Sequence, residues 1–535
     1  MRSVFRLGWF ACWMASCAVQ PTSFRHRTEK LSADAAATLP TPTPTPTPGP
    51  TFQFTRADLR PLGKMEIQNS LQDILALPVI PELEGFVEQS SKSQIFRNSY
   101  GILNDSSSLA GLNRDITALI ESLALPQLAD RLVQCDALEA PSCRLRFLER
   151  IATHAWRRPL TAAELDTLGK QSAGISNLAL TVQGAALSHI LTQIIFDPRF
   201  LFRLESGPEA TASEYALTPW EKLTAISYDL KHRPPTFEQI NSIKDFADDP
   251  KRFAQLIDDL VDSSALADIL SNMISQWLMY YDLEHAEVQG DPTWSKQKAK
   301  NLIAATHQFV AETLAQEGTL QALFTKPNPE NDGYGIFSSK AFLTSTSKNG
   351  QSSMILRGVR IIRNGLCQNM GVPPGTLDAA APKDLSVTDP DYNIKLTLMH
   401  GARPACIGCH RLIDPTGLAL HTFDGFGANK NIMVNFSALG IPSQVTVSLG
   451  GPADSIATGS SKEFSDSIAQ SPTFARCFSR NALRYILGRD LSDTERATAD
   501  VLAEKHLMPQ TSGKDSLANY FRDIMKSDSV YMRMR

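Results

Sequence analysis

Phe253-Ala254-Gln255-Leu256-Ile257-Asp258-Asp259-Leu260-Val261 sets the expectation for the fold. Phe253, Leu256, Ile257, Leu260 and Val261 recur at i, i+3, i+4, i+7 and i+8, the spacing that gathers apolar side chains on one face of an α-helix. From residue 56 onward the sequence is mostly of this kind, and helix starts and stops are marked. Thr218-Pro219-Trp220-Glu221 joins a capping threonine, a proline at the first helical position and a glutamate at the third; Thr161 and Glu164 repeat the box after Pro159. Phe474, Cys477, Phe478, Ala482, Tyr485 and Ile486 make a second apolar stripe, which Gly488 is placed to end. Gln444 to Leu449 alternates as a short strand does, so a mainly α protein with a short β hairpin is expected.

A chain of 535 residues exceeds one hydrophobic core, and its patterning divides into several helical lobes. The divisions are 56–130, 131–205, 206–330, a segment 331–430 around the cysteine motif described below, and 431–535. With 42% hydrophobic and 20% charged residues the composition is that of a globular protein, and a mean hydropathy of -0.16 excludes a polytopic membrane protein. The net charge of -4 gives no positive field for a polyanion, so nucleic acid is not an expected partner.

Residues 1–16 have the form of an export signal, with Arg2 and Arg6 before a short apolar core from Leu7 to Ala15. Met14-Ala15-Ser16-Cys17 is similar to a bacterial lipobox, which makes Cys17 the expected acylated N-terminus of a lipoprotein held to a membrane, with Ala18 favouring the outer one. Ordinary secretion with cleavage elsewhere is the alternative. Residues 17–55 read as a tether: the alternating prolines from Pro40 to Pro48 favour polyproline II, a spacer on the order of 30 Å.

Cys12 leaves with the signal and Cys17 carries lipid, so six cysteines remain. Cys406-Ile407-Gly408-Cys409-His410 sets two thiols one helical turn apart beside a histidine, the arrangement that adds to both vinyl groups of one haem and ligates its iron. Haem c is therefore the expected cofactor, with Cys406 and Cys409 as attachment points and His410 as the proximal ligand. Arg403-Pro404 before the motif and Asp414-Pro415 after it suggest an irregular loop entering a short helix. His400, Met399, His421 and Met433 are candidates for the opposite ligand, His400 foremost. Asp414, Pro415 and Phe423 are expected to shape the loop and pack the macrocycle. The other four cysteines form an even set in a compartment that permits disulfides; Cys135 with Cys143 and Cys367 with Cys477 is one pairing, and buried free thiols are the alternative. No P-loop, HExxH or G-x-S-x-G is present, so no catalytic residues are assigned.

The run Arg403-Pro404-Ala405-Cys406-Ile407-Gly408-Cys409-His410-Arg411-Leu412-Ile413-Asp414-Pro415-Thr416-Gly417-Leu418, with Phe423-Asp424 and Gly427 after it, resembles the haem-bearing segment of planctomycete-type cytochrome c proteins. These are strings of domains of unknown function, 1587, 1595, 1592, 1588 and 1585. Leu59-Arg60 with Asn69 to Leu75 resembles the first, and Phe147-Leu148 with Arg157-Arg158-Pro159-Leu160-Thr161 the second. Gln276-Trp277-Leu278 and Glu312 suit the third, Leu356-Arg357-Gly358 and Cys367 to Pro374 lead into the fourth, and Phe474-Ala475-Arg476-Cys477 with Tyr485-Ile486-Leu487-Gly488-Arg489 resembles the last. The resemblance implies a cytochrome, a ligand role for His400 and a pairing of Cys367 with Cys477. His421-Thr422 and Asp229 to Pro235 depart from the family pattern. The expectation is an exported, lipid-anchored electron carrier that serves a redox partner protein. A haem-dependent oxidoreductase, peroxidase-like or substrate-oxidising, is the first alternative and a surface binding or scaffold lipoprotein the second.

Overall fold

The Phe253–Val261 periodicity becomes one face of the helix Pro250–Val261, where Ile257, Leu260 and Val261 are buried and Phe253 and Leu256 pack against the same core. The computed structural model describes residues 60–88, 96, 105–135, 137–207, 214–245, 249–261, 265–286, 288, 291–348, 351–371, 391–449, 451–527 and 530–534. The signal 1–16, Cys17 and the tether 17–55 lie outside the described residues. Among those described, α-helices dominate and the strands form only short two-stranded antiparallel pairs. No helix among them is long and apolar enough to cross a membrane.

Both capping boxes form. Thr218 Oγ1 accepts from the Glu221 N–H while Glu221 Oε2 takes the Thr218 N–H at 2.7 Å, starting the helix Pro219–Lys231. Thr161 and Glu164 do the same for Ala162–Ile175. Gly488, at φ 67°, ends the helix Pro472–Leu487 in the left-handed conformation that glycine adopts without a Cβ clash. The alternating stretch is the strand Gln444–Val447, paired with Asp454–Ala457 so that Val445, Val447 and Ile456 face inward.

Two large apolar cores result. One gathers helices between Leu62 and Leu201 with Tyr228, and the other runs from Phe96 and Tyr215 to Tyr531 around Trp277. A buried ion network lies where short strands bring distant parts of the chain together. Arg60–Pro61 pairs with Phe202–Arg203, and Met532–Met534 pairs with Glu214–Ala216. Arg203 binds Asp229 at 2.6 Å and Glu205 at 3.1 Å; Glu205 also takes Arg533 at 2.7 Å, and Arg60 reaches Asp229 at 3.3 Å and the Ile486 carbonyl at 2.8 Å. All five side chains are buried, which is tolerable only because each charge faces an opposite one.

Two disulfides are present, Cys135–Cys143 and Cys367–Cys477, with Cα separations of 6.0 and 5.5 Å. Of the alternatives left open by the sequence, pairing rather than free thiols is the one adopted.

Burial has a consequence for pH. His154 donates from Nε2 to the Pro235 carbonyl at 3.1 Å, and desolvation, with the Arg150 charge second, lowers its pKa to about 4. Desolvation lowers His307 to about 4 as well. A histidine whose folded pKa is depressed stabilises the native state above its unfolded value near 6.5, and the contribution is lost as pH falls from there to about 4. Going from pH 7 to pH 5 should remove roughly 2 kcal/mol for each imidazole. Urea midpoints of the His154→Gln variant and the parent, compared at both pH values, measure it; an equally steep fall in the variant would refute the assignment.

Candidate functional site

Three short helices build the region around the cysteine motif. Met354–Arg360 crosses Pro404–Leu418 with the two backbones touching. A Cβ on Gly358 would overlap the Ile413 carbonyl, and one on Gly417 would overlap the Met354 carbonyl, so both crossing points require glycine. Arg357, fully buried, donates to the Leu420 and Phe423 carbonyls at 2.8 Å each and to that of Asp424 at 2.6 Å. It thereby satisfies carbonyls in the turn that follows the Pro404–Leu418 helix. Burial pulls its pKa down to about 9, so it remains a cation at neutral pH.

The third helix, Tyr392–Gly401, ends at His400 and Gly401 and turns through Ala402-Arg403 into Pro404. Here the structure corrects the sequence reading. Cys406 to His410 lie inside the Pro404–Leu418 helix and not in a loop, because Pro404 takes the first helical position, where a missing N–H costs nothing. Pro415 is carried within the same helix.

At about 100° per residue, Cys406, Cys409 and His410 share one sector of that helix, while Ile407, His410, Arg411 and Asp414 share the next. Cys406 and Cys409 are partly exposed free thiols, whereas the other four cysteines among the described residues are paired. The Cys409 thiol faces the Met370 carbonyl at 3.5 Å. The second sector lines a cleft of about 350 Å³, with His400, Leu398 and Ile441 opposite.

Asp414 joins the two histidines. Its Oδ1 accepts from His410 Nδ1 at 2.7 Å and its Oδ2 from His400 Nδ1 at 2.6 Å, while only 1% of its side chain is exposed. The imidazole centroids are 3.7 Å apart, with planes inclined by 41°. Anchoring both Nδ1 atoms leaves both Nε2 atoms without a protein hydrogen bond among the described residues. His400, His410 and Asp414 are also spaced to hold a metal ion.

The donor set fits a covalent haem in its chemistry: two unpaired thiols one turn apart, and next to them an imidazole whose Nδ1 is fixed so that Nε2 is free. The structure brings His400 next to His410, where both rings share Asp414. Met399 packs into a small apolar cluster with Leu396 and Leu418. Met433 is 77% exposed, and neither it nor His421 lines the cleft. His421 is buried with Nδ1 unpartnered among the described residues; burial, and after it the Arg357 charge, lower its pKa.

The match to known proteins falls on this region. Residues 334–432 match PSCyt3, a protein of unknown function (DUF1588). No curated protein and no solved structure matches the chain. The matched stretch contains the Arg357-Gly358 crossing, Cys367, His400, the Cys-x-x-Cys-His motif and Asp414, while Ile441 of the cleft lies beyond it. The likeness to domains 1587, 1595, 1592 and 1585 rests on the residues quoted for them alone.

Reading the sequence missed the role of Asp414. The signal was its position four residues after His410, which on a helix places the two side chains together; it was hidden because Pro415 made the stretch read as a loop.

Proposed function

We propose that this protein is an exported, lipid-anchored cytochrome that carries electrons through one haem attached at Cys406 and Cys409 and ligated by His410. The observation that carries the reading is the pair of free thiols one helical turn apart, beside an imidazole anchored at Nδ1. The similarity of residues 334–432 to PSCyt3, a cytochrome-like name, supports it. Such a haem supplies reversible one-electron chemistry when bound. Cys406 and Cys409 hold it, His410 offers Nε2, and the exposed Leu398 and Ile407 at the cleft leave an apolar edge open to a redox partner protein. The flanking helical segments would be the family's remaining domains, and Cys17 with the proline-rich tether would hold the body off an outer membrane.

The test is a pyridine haemochrome spectrum of the full chain made with a periplasmic cytochrome maturation system. One haem per chain with the two-thioether spectrum is expected, and Cys409→Ala should abolish that spectrum. A colourless product whose mass equals polypeptide plus lipid would end the proposal. A high-spin ferric haem with peroxide turnover would move the reading to the enzyme.

A further inference from the structure

We propose that Asp414 is a positioning residue that makes His410 a stronger electron donor to the haem iron and so holds the reduction potential down. The proposal rests on the haem reading above. A carboxylate that accepts the Nδ1 proton of a metal-bound histidine fixes its ring and raises its basicity, which favours the oxidised, more positive metal. Three features give Asp414 this function. It is 1% exposed, so water does not dilute its charge. It lies one helical turn from His410 on the same rigid element, with Oδ1 at 2.7 Å from Nδ1. Among the described residues its salt-bridge partners are the two imidazoles and no lysine or arginine.

His400 sets the share that His410 receives. By donating to Oδ2 at 2.6 Å it fixes the plane of the carboxylate and draws off part of its charge. The two histidines therefore compete for one acceptor, and removing either the acceptor or the competitor moves the potential in opposite directions. A merely structural role for Asp414 predicts no such pair of signs.

The experiment uses the full, haem-loaded chain, with haem content from the pyridine haemochrome and midpoint potential from a spectroelectrochemical titration. Asp414→Asn keeps the shape and removes the charge. It should retain one haem per chain and raise the reduced-to-oxidised ratio at a fixed potential about tenfold, a positive shift of about 59 mV. His400→Gln should shift the potential the other way by a smaller amount. A haem-loaded Asp414→Asn protein whose ratio stays within about threefold of the parent, about 28 mV, overturns the proposal. Where that variant does not accumulate, His400→Gln decides: an unchanged potential, or a rise with loss of the low-spin bands that would make His400 an iron ligand, overturns it. Parent protein without covalent haem is a different failure, because it removes the proposed function itself and this inference with it.

Discussion

Opening the Cys367–Cys477 disulfide is expected to cost roughly 4–5 kcal/mol, against about 2.5 kcal/mol for Cys135–Cys143. The difference follows from loop length: the first bond spans 110 residues and the second only 8, so the first restricts the unfolded chain far more. Native packing adds to it. Cys477 is fully buried in the Pro472–Leu487 helix, which belongs to the larger core. Cys367 begins the short stretch to Met370, whose carbonyl receives the Cys409 thiol. The bond therefore ties the motif's surroundings to the core as well as closing a loop. Alanine at both positions of each pair, followed by urea unfolding, gives the comparison. Equal midpoints for the two double variants would show that loop closure is not what stabilises this chain.

Gly358→Ala is expected to lose about 3 kcal/mol, at the upper end of what overpacking costs, because the added methyl meets backbone. A flexible side chain can turn away from a new methyl group, but the Ile413 carbonyl belongs to the helix that carries the motif. Relief requires that helix to shift, and with it His410 and Asp414, so haem content should fall together with stability. Gly408→Ala is the control. It lies on the same helix between the two cysteines, has nothing within 4 Å of its Cβ position, and gains roughly 0.5–1 kcal/mol of helix propensity. Thermal unfolding with haemochrome quantitation should separate the two alanines; Gly358→Ala behaving like Gly408→Ala would refute the tight crossing.

Local signals were legible in the sequence and long-range ones were not. The Thr218 and Thr161 boxes, the Gly488 stop, the Phe253–Val261 face and the Gln444 strand all depend on neighbours within a few residues, and each was readable for that reason. The Cys-x-x-Cys-His motif was legible in the same way. His400 was selected by position and resemblance, and the structure places it beside His410. What it does there could not be read, because Asp414 binds both rings and the sequence shows only separations, not which atoms converge. Arg357 was part of the resemblance, yet its three carbonyl partners lie more than 60 residues away. The backbone contact of Gly358 with Ile413 leaves no mark in either segment's periodicity.

The ion network has a consequence for how the molecule comes apart. Arg60 and Arg533 both reach it, one from a strand against the smaller core and one from a strand against the larger. Withdrawing the first strand would leave Asp229 to Arg203 alone, and withdrawing the second would leave Glu205 to Arg203 alone, so each carboxylate loses one of its two buried partners. Opening either core therefore disturbs ion pairs in which the other takes part, and this couples the two. The turn that follows the motif-bearing helix packs through Leu420 and Phe423 into the larger of these cores, so the surroundings of the motif share in that coupling.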